Sequence, residues 1–237
     1  MDELDGGTTP DIMPAGDRRR SAAATRRRQR EKQILQATRE LFDERGVRDV
    51  NIDDIAKLVG TNRAILYRHF SGKEELFALT LVGYLDELRA RLESVSADIA
   101  DPQERLGVLV GEFVDYGLEY PAFVDCAQAL MRRPGPELLD EISESALFRL
   151  GRSISGCLGA LRSTLDDGVA AGTFHVGDTD LLANHMYATG LGALQLARVG
   201  MLIKELAPGV PGIAPVSPDQ VKRYLIATSR ALATDAP

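Results

Sequence analysis

Between Arg63 and His69 the chain carries side chains suited to contacting double-stranded DNA. The guanidinium of Arg63 can donate two hydrogen bonds to a guanine edge, and Ala64 and Ile65 can contact thymine methyl groups. The outward-facing set is Arg63, Ala64, Ile65, Tyr67, Arg68 and His69. Two members have plainer alternatives. Ile65 has the helical spacing of a packing residue, and His69 can be simply an exposed side chain.

Two short helices joined by a tight turn are predicted to present this face, over NIDDIAKLVGTNRAILYRHF (51–70). Asn51 and Asn62 are favourable N-cap residues and are also counted as candidate DNA contacts. Asp54 follows Asn51 by three residues, as in a capping box. Gly60 can adopt the left-handed conformation that ends a helix. This helix-turn-helix pattern predicts a second helix that enters the major groove.

The stretch around this motif resembles the DNA-binding domain of TetR-type transcriptional regulators over about residues 26–80. The motifs that carry the resemblance are Ile34-Leu35, Leu41-Phe42, Gly46, Asp54-Ile55-Ala56, Gly60, Leu66-Tyr67, Phe70, Lys73 and Leu76. The resemblance implies phosphate or sugar contacts for Tyr67 and His69, and a phosphate contact for Lys73. After the turn the family usually has a small hydrophobic residue, Ser and often Gly, whereas this chain has Thr61, Asn62, Arg63 and Ala64. The operator sequence therefore does not transfer from a relative.

The distribution of charge fits a protein that touches nucleic acid with one end. The 237 residues have a net charge of -7, yet residues 18–73 hold fifteen Lys/Arg against seven Asp/Glu, a local charge of +8. A basic arm precedes the motif, and Arg27 and Arg28 are its candidate DNA contacts. The plainer alternative is a solvated charged face. The predicted domains are a disordered acidic tail (1–17), a helix-turn-helix domain with the basic arm (18–72), and a ligand-binding and dimerisation domain (73–237).

Helical periodicity continues to the C-terminus without a strand pattern, so the predicted fold class is all-α. The predicted helices cover about 27–44, the two short helices above, 72–95 opened by a Ser71–Glu74 capping box, 101 to before 121, 121–132, 137–171 with a possible bend or split, 178–205, and 218–233, with a loop over 208–215. The long fourth helix is expected to connect the basic end to the acidic body.

No acid–base pair, nucleophile set or metal-ligand spacing is visible, so the sequence predicts a protein that is not an enzyme and has no metal or cofactor. His175 and His185 are isolated, and Cys126 and Cys157 are expected to be buried and reduced. Gly190 and Gly192 lack the third glycine and preceding strand of a dinucleotide loop.

The chain has no apolar stretch of membrane-spanning length, and its N-terminus lacks a signal-peptide core. We therefore expect a cytoplasmic protein.

The resemblance implies a homodimer whose last two long helices pair across a two-fold axis. Small residues at helical spacing on the eighth predicted helix would allow such an approach, with internal packing as the alternative. The predicted dimer residues are Ala183, Gly190, Ala193, Ala197, Tyr224, Leu225 and Thr228. A two-fold dimer matches a palindromic DNA operator.

The resemblance also implies a ligand cavity between the fourth and eighth predicted helices, although ordinary core packing explains each apolar residue as well. The candidate lining residues are Leu106, Phe113, Phe123, Val124, Leu130, Met131, Phe148, Leu158, Met186, Tyr187 and Leu191. A long aliphatic effector suits this lining, with the Arg132-Arg133 pair for an anionic head group. The body is also similar to acyl-CoA-responsive regulators of fatty-acid synthesis in actinobacteria.

Together these patterns predict a ligand-responsive DNA-binding regulator of lipid metabolism whose effector is a long-chain acyl-CoA or another apolar lipid. Ligand binding in the body is expected to shift the long fourth helix and so change operator affinity. Two alternatives remain open. The same scaffold can sense an aromatic or cationic drug-like compound, as an efflux repressor does, or it can be controlled by a partner protein without a small ligand.

Overall fold

The computed structural model describes the backbone of residues 15–235 and the side chains of residues 21–235. Within that range the chain forms ten α-helices, one 3-10 turn and one β-hairpin. The helices are α1 (Ala15–Arg45), α2 (Ile52–Leu58), α3 (Arg63–Leu66), α4 (Lys73–Ser96), α5 (Pro102–Glu119), α6 (Pro121–Met131), α7 (Gly135–Glu141), α8 (Glu144–Ala170), α9 (Thr179–Val199) and α10 (Pro218–Thr234). The all-α class is confirmed, and the hairpin is a small addition to it.

The first three helices close on one apolar core with the start of α4. Ile34 and Phe42 from α1, Ile55 from α2 and Leu66 from α3 are almost fully buried. The ring of Phe42 stands edge-on to that of Phe77 on α4, with centroids 4.9 Å apart. The predicted α1 began near residue 27, whereas the helix begins at Ala15. The rest of the predicted acidic tail, residues 1–14, lies outside the described residues.

The N-caps of α2 and α3 are those that the sequence predicts. Asn51 Oδ1 accepts hydrogen bonds from the backbone amides of Asp53 and Asp54, at 2.9 and 3.0 Å. Asp54 in turn accepts from the Asn51 amide, which completes the capping box. Gly60 has φ +65°, so it makes the left-handed turn that a residue with a side chain would strain. Asn62 Oδ1 accepts from the Ile65 amide at 3.1 Å and so fixes the start of α3.

The predicted Ser71–Glu74 capping box is wrong by one residue. Gly72 is the N-cap of α4 and has no side chain to accept a hydrogen bond. Ser71 instead donates both its amide and its hydroxyl to Glu75, whose carboxylate is buried. Glu74 lies half-buried and reaches toward Arg133. The carboxylate one turn further along is the one that turns back toward Ser71.

Helix α4 runs from the N-terminal helices through the middle of the body. Its 24 residues span about 36 Å at 1.5 Å per residue. It packs against α1, α5, α6 and α8. Leu76, Leu81, Leu85 and Leu88 are almost fully buried, so both ends of α4 belong to one continuous core.

The long helical segment that follows α6 is split, as the sequence allowed. Helix α7 ends at Glu141, Ile142 is extended, and Ser143 opens α8 by accepting a hydrogen bond from the Ala146 amide. The break carries Ser143 back to the start of α4. The N-terminus of α8 therefore lies beside the N-terminal helices.

The prediction that the eighth helix extends to residue 205 is wrong. Gly200 has φ +67° and ends α9 in a left-handed cap. The chain then forms β1 (Met201–Ala207) and β2 (Val210–Pro215), paired antiparallel with Ile203 opposite Ile213 and a bulge after Glu205. Pro208-Gly209, with φ +76° at the glycine, has the residue order of a type II turn. The loop predicted over 208–215 is thus the turn and second strand of a hairpin.

Candidate nucleic-acid interface and ligand cavity

The outward face predicted on α3 is present in the structure. Arg63, Ala64, Tyr67 and Arg68 are exposed, whereas Ile65 and His69 are half-buried. The amides after Tyr67 continue the turn, because His69 and Phe70 both donate to the Leu66 carbonyl. The half-buried position of Ile65 is compatible with both of its interpretations, since one part of the side chain packs and another part reaches solvent.

Arg63 is held in place before any DNA arrives. Its Nη2 donates to the Tyr67 hydroxyl at 3.3 Å, and the guanidinium lies 5.5 Å from the centre of the Tyr67 ring. Asp53 on α2 lies 4.0 Å away. The hydrogen bond to Tyr67 and the neighbouring charges raise the pKa of Arg63. The guanidinium is therefore charged and aimed along the exposed side of α3.

The basic arm and α3 meet in one open groove. Arg27 and Arg28 on α1 line it together with Tyr67, Arg68 and His69, all of them predicted DNA contacts. Partial burial, and then the positive charge of Arg27, lower the pKa of His69. At neutral pH His69 is therefore an uncharged imidazole beside several guanidiniums, and can exchange hydrogen bonds with a phosphate or sugar.

Lys73 stands at the other side of α3, at the N-terminus of α4. Its side chain is exposed, and the ammonium lies 4.9 Å from the centre of the Phe77 ring. The first turn of a helix has free amides, which are favourable for a phosphate oxygen. Asn51 and Asn62 are exposed, but their side-chain oxygens are already occupied as N-caps.

An apolar cavity lies in the body between α4, α5, α8, α9 and α10. Its lining is Leu88, Leu92, Leu109, Val110, Phe113, Cys157, Leu158, Leu161, Met186, Tyr187, Leu225 and Ser229. Its volume is about 60 Å³, several times what one water needs. Burial raises the pKa of the Cys157 thiol to about 12, and the thiol donates to the Leu85 carbonyl. No carboxylate, ammonium or guanidinium belongs to this lining.

Four of the predicted ligand residues line this cavity: Phe113, Leu158, Met186 and Tyr187. The other seven do not line it, for three physical reasons. Leu106, Phe123, Val124 and Leu191 are buried in close-packed core. Leu130 lines a separate groove beside Lys73. Met131 and Phe148 are 53% and 73% exposed on the protein surface.

The remaining lining residues were missed because a core position and a cavity wall have the same apolar pattern in sequence. Leu88 and Leu92 have only the sequence signal of a buried helix face, and Leu225 was assigned to the dimer interface. The predicted head-group site is also wrong. Arg133 does not line the cavity but pairs with Glu74 and Glu141, at 3.5 and 2.6 Å. Arg132 is exposed and likewise lies outside the lining.

The small residues predicted to form the dimer interface on α9 face the wrong way. Ala183 and Ala197 are buried within the protomer, and Ala193 is half-buried. A Cβ on Gly190 would come within 2.7 Å of the Phe113 ring, so this glycine serves the approach of α5. On α10, Leu225 turns inward to the cavity, whereas Tyr224 and Thr228 are exposed as predicted.

The outer faces of α9 and α10 carry different stripes. On α9 the exposed positions at helical spacing are Leu181, His185, Ala188, Gly192, Leu196 and Val199; on α10 they are Gln220, Tyr224, Ala227, Thr228 and Ala231. A Cβ on Gly192 would have no neighbour within 4 Å. The stripe on α9 is thus apolar at its ends and small in its middle, which permits close packing of another helix.

Residues 34–80 match the family model described as bacterial regulatory proteins, tetR family. The matched range contains α2, α3, the Gly60 turn and Lys73, the elements that form the exposed face described above. Residues 34–80 of the chain therefore form a TetR-family DNA-binding domain. The matching family is one of regulatory proteins, and the sequence likewise predicts a protein that is not an enzyme.

Among curated proteins, this chain is similar to the helix-turn-helix transcriptional activator FasR of Mycolicibacterium smegmatis. The two are 34% identical over 103 residues, which cover 44% of this chain and 47% of FasR. The chain therefore spans about half the length of this relative. The similarity bears on the shared part and not on the whole protein's activity.

Solved structures extend the likeness of fold to most of the chain. RolR in complex with resorcinol aligns with a TM-score of 0.63 at 20% identity, covering 90% of this chain and 91% of RolR. The regulator FadR of Bacillus subtilis, in complex with stearoyl-CoA, aligns with a TM-score of 0.58 at 17% identity, covering 87% and 98%. At these identities the comparison establishes the TetR fold. No helix within residues 15–235 is both long and apolar enough to cross a membrane.

Proposed function

We propose that the protein is a ligand-responsive transcriptional regulator that binds a palindromic DNA operator as a homodimer in the bacterial cytoplasm. The observation that carries the DNA-binding part is the groove in which Arg27 and Arg28 of α1 meet Tyr67, Arg68 and His69. The arm can follow the phosphates while Arg63, on the exposed side of α3, reaches base edges in the major groove. Lys73 adds a phosphate contact on the far side.

Operator binding is tested by selecting DNA sites from a random library and measuring affinity at several salt concentrations. Arg and Lys contacts release counterions from phosphate, so affinity should fall steeply as salt rises. A double variant, Arg27→Ala with Arg28→Ala, should reduce that salt dependence while keeping the selected sequence. No sequence enrichment, or an affinity that hardly responds to salt, would contradict the proposal.

The proposed dimer pairs α9 and α10 of one protomer with the same helices of a second. Two exposed stripes run along these helices, and Ala188 and Gly192 leave room in the middle for a close crossing. Two-fold symmetry of the protein then matches two half-sites of a palindrome. Sedimentation of the purified protein without DNA gives the oligomeric state directly.

The proposed effector is an apolar molecule, most specifically a long-chain acyl compound such as an acyl-CoA. The carrying observation is the cavity, because its lining holds no ionised side chain and its only polar atoms are those of Cys157, Tyr187 and Ser229. The stearoyl-CoA in the FadR complex is of this chemical class.

Chain length distinguishes this effector from a ring compound. Each buried methylene contributes about 0.8 kcal/mol, so release of DNA should become more sensitive as acyl-CoAs lengthen, until the cavity is full. Leu158→Phe should blunt the response by filling the cavity. Val169→Phe, on the exposed side of the same helix, is the matched control and should not. A flat response to chain length with release by resorcinol-like compounds would replace the acyl effector with an aromatic one, the class in the RolR complex.

Two structural routes connect this cavity to the DNA-binding helices. Helix α4 contributes Leu88 and Leu92 to the cavity and Lys73 to the DNA face. A series of aromatic rings also leaves the cavity wall, with Phe113 6.1 Å from Phe123 and Phe123 6.4 Å from Tyr84 between ring centroids.

At the far end of that series the Tyr84 hydroxyl donates to Asp43 on α1 at 2.6 Å. A ligand that moves Phe113 or α4 therefore bears on α1 and α3 together. We propose that the effector changes operator affinity by shifting α4 and these rings.

A further inference from the structure

The β-hairpin between α9 and α10 exposes an apolar face. Ile203 and Ile213 are cross-strand partners, and they are 81% and 73% exposed. Because side chains alternate along a strand, Met201 and Pro215 share their face, and both are exposed as well. A single exposed isoleucine is ordinary, but a paired set of apolar residues on a projecting hairpin is not.

On the opposite face of the hairpin, one local contact covers part of the surface. Leu206 lies across Gly212, where a Cβ would come within 2.4 Å of the leucine side chain. That face also carries Lys204, which remains in solvent. The two faces thus differ. The Ile203 face also carries Glu205, whose carboxylate accepts from the Gly209 amide, but its apolar side chains are the more exposed. Ile203 and Ile213 are 81% and 73% exposed, against 36% and 64% for Leu202 and Leu206 on the opposite face.

The hairpin is anchored firmly at its base. The Val216 amide donates to the Gly200 carbonyl at 3.0 Å, which joins the two ends where they meet α9 and α10. Near the tip the Gly209 amide donates to Glu205 Oε1 at 2.6 Å. A two-stranded hairpin is marginally stable by itself in water, so its apolar face needs a surface to pack on.

The position of the hairpin identifies that surface. It leaves α9 directly after Leu196 and Val199, the apolar end of the exposed stripe, and enters α10 just before the stripe that contains Tyr224. The hairpin is therefore joined at both ends to the helices whose outer faces we assign to the homodimer. A second copy brought to those helices also comes to the hairpin.

We propose that the hairpin is a dimerisation arm, whose Ile203–Ile213 face docks on a second copy of this chain. The inference rests on the homodimer of the proposed function and adds to it an element outside the helix pair. In a two-fold interface each arm contacts the other protomer, so every contact occurs twice. Pro211 and Pro215 lack amide donors, which blocks open-ended pairing along β2 and favours a closed dimer over a growing sheet.

The arm is tested by the dimer dissociation constant of an Ile203→Thr, Ile213→Thr double variant. Threonine keeps strand propensity while removing apolar surface, so the hairpin can still form. We expect at least a tenfold weaker dimer by analytical ultracentrifugation. Lys204→Thr, on the opposite face, is the matched control and should dimerise like the wild type. An unchanged dissociation constant for the double variant would contradict the proposal that the hairpin is a dimerisation arm.

A second measurement does not depend on how the variant folds. The thiol of an Ile203→Cys variant should react slowly with a maleimide when the protein is concentrated and quickly when it is diluted below the dimer dissociation constant. The native cysteines are both buried and give a low background. If the thiol reacts equally fast at all protein concentrations, or is protected only by operator DNA or lipid vesicles, the hairpin does not dock on a second copy of this chain. Absence of operator binding by the wild type would instead reject the proposed function and leave the arm intact.

Discussion

The hydroxyl of Ser143, at the start of α8, donates a hydrogen bond of 2.8 Å to Glu75 Oε1, at the start of α4. Glu75 also accepts from the amide of Ser71, and the Ser71 hydroxyl reaches both Glu75 and the Glu141 carbonyl. One buried carboxylate thus joins the segment that follows α3 to the α7–α8 junction. It is a direct polar link between the DNA-binding helices and the body.

Removing this carboxylate should destabilise the protein more than removing its exposed neighbour. Glu75→Ala leaves the hydroxyls of Ser71 and Ser143 and one amide without their charged acceptor, which should cost about 2–3 kcal/mol of unfolding free energy. Glu74→Ala removes only a half-exposed ion pair with Arg133 and should cost less than about 1 kcal/mol. Denaturant titration measures both. Equal losses would mean that Glu75 is not the principal link.

The same link predicts a dependence on acidity. Burial alone would raise the pKa of Glu75, but the hydrogen bonds from Ser71 and Ser143 outweigh it and the pKa is lowered. A carboxylate of this kind contributes stability above its unfolded pKa, near 4.5, and loses it as the pH falls through the lower folded value. The difference in unfolding free energy between the wild type and Glu75→Gln should therefore become smaller below about pH 4. A gap that stays constant from pH 7 to 3 would contradict this.

On the DNA face, two cations should separate sequence reading from phosphate binding. Arg63→Ala should relax base preference at one position per half-site, at a cost of about 1–3 kcal/mol. Lys73→Ala should weaken all sequences alike and reduce the salt dependence of binding. Competition assays with operator variants distinguish the two. If Arg63→Ala weakens every sequence equally, the base-reading residue lies elsewhere on α3.

Gly192 offers a test of the dimer face that leaves the protomer intact. A Cβ there meets no atom within 4 Å of the protomer, so Gly192→Arg should fold normally. At a close helix crossing the new charge would be buried without a partner, which should raise the dimer dissociation constant at least about 100-fold. Gly151→Arg, an equally open glycine on α8, is the control. If both variants keep the dimer dissociation constant of the wild type, the interface does not include this face of α9.

The DNA-binding half was predictable from sequence because its signals are local. Asn51, Asp54, Gly60 and Asn62 each fix one turn of backbone, and each does so in the structure. The capping box predicted between Ser71 and Glu74 was wrong by one residue. Both Glu74 and Glu75 were available in the sequence, and the tertiary contact with Ser143 selects Glu75.

Errors in the body arise from choices that no local pattern decides. Helix α9 has small residues on both faces, so small size alone did not select between Ala197 and Gly192. The inward leucines Leu191 and Leu194 were the better signal for its orientation. Residues 201–206 contain good helix formers, and the strand was indicated only by Gly200 and Pro208-Gly209. Which apolar side chains border the cavity depends on how five helices pack.

The burial of α4 also governs how fast the protein can respond. Lys73 and Leu92 lie about 28 Å apart on one helix at 1.5 Å per residue, and the helix between them is packed on several sides. Such a helix moves as one body, a collective displacement on the microsecond to millisecond timescale rather than the nanoseconds of a loop. The rate of effector-driven DNA release should therefore level off at high effector concentration. That ceiling would be a property of the helix packing, independent of which compound fills the cavity.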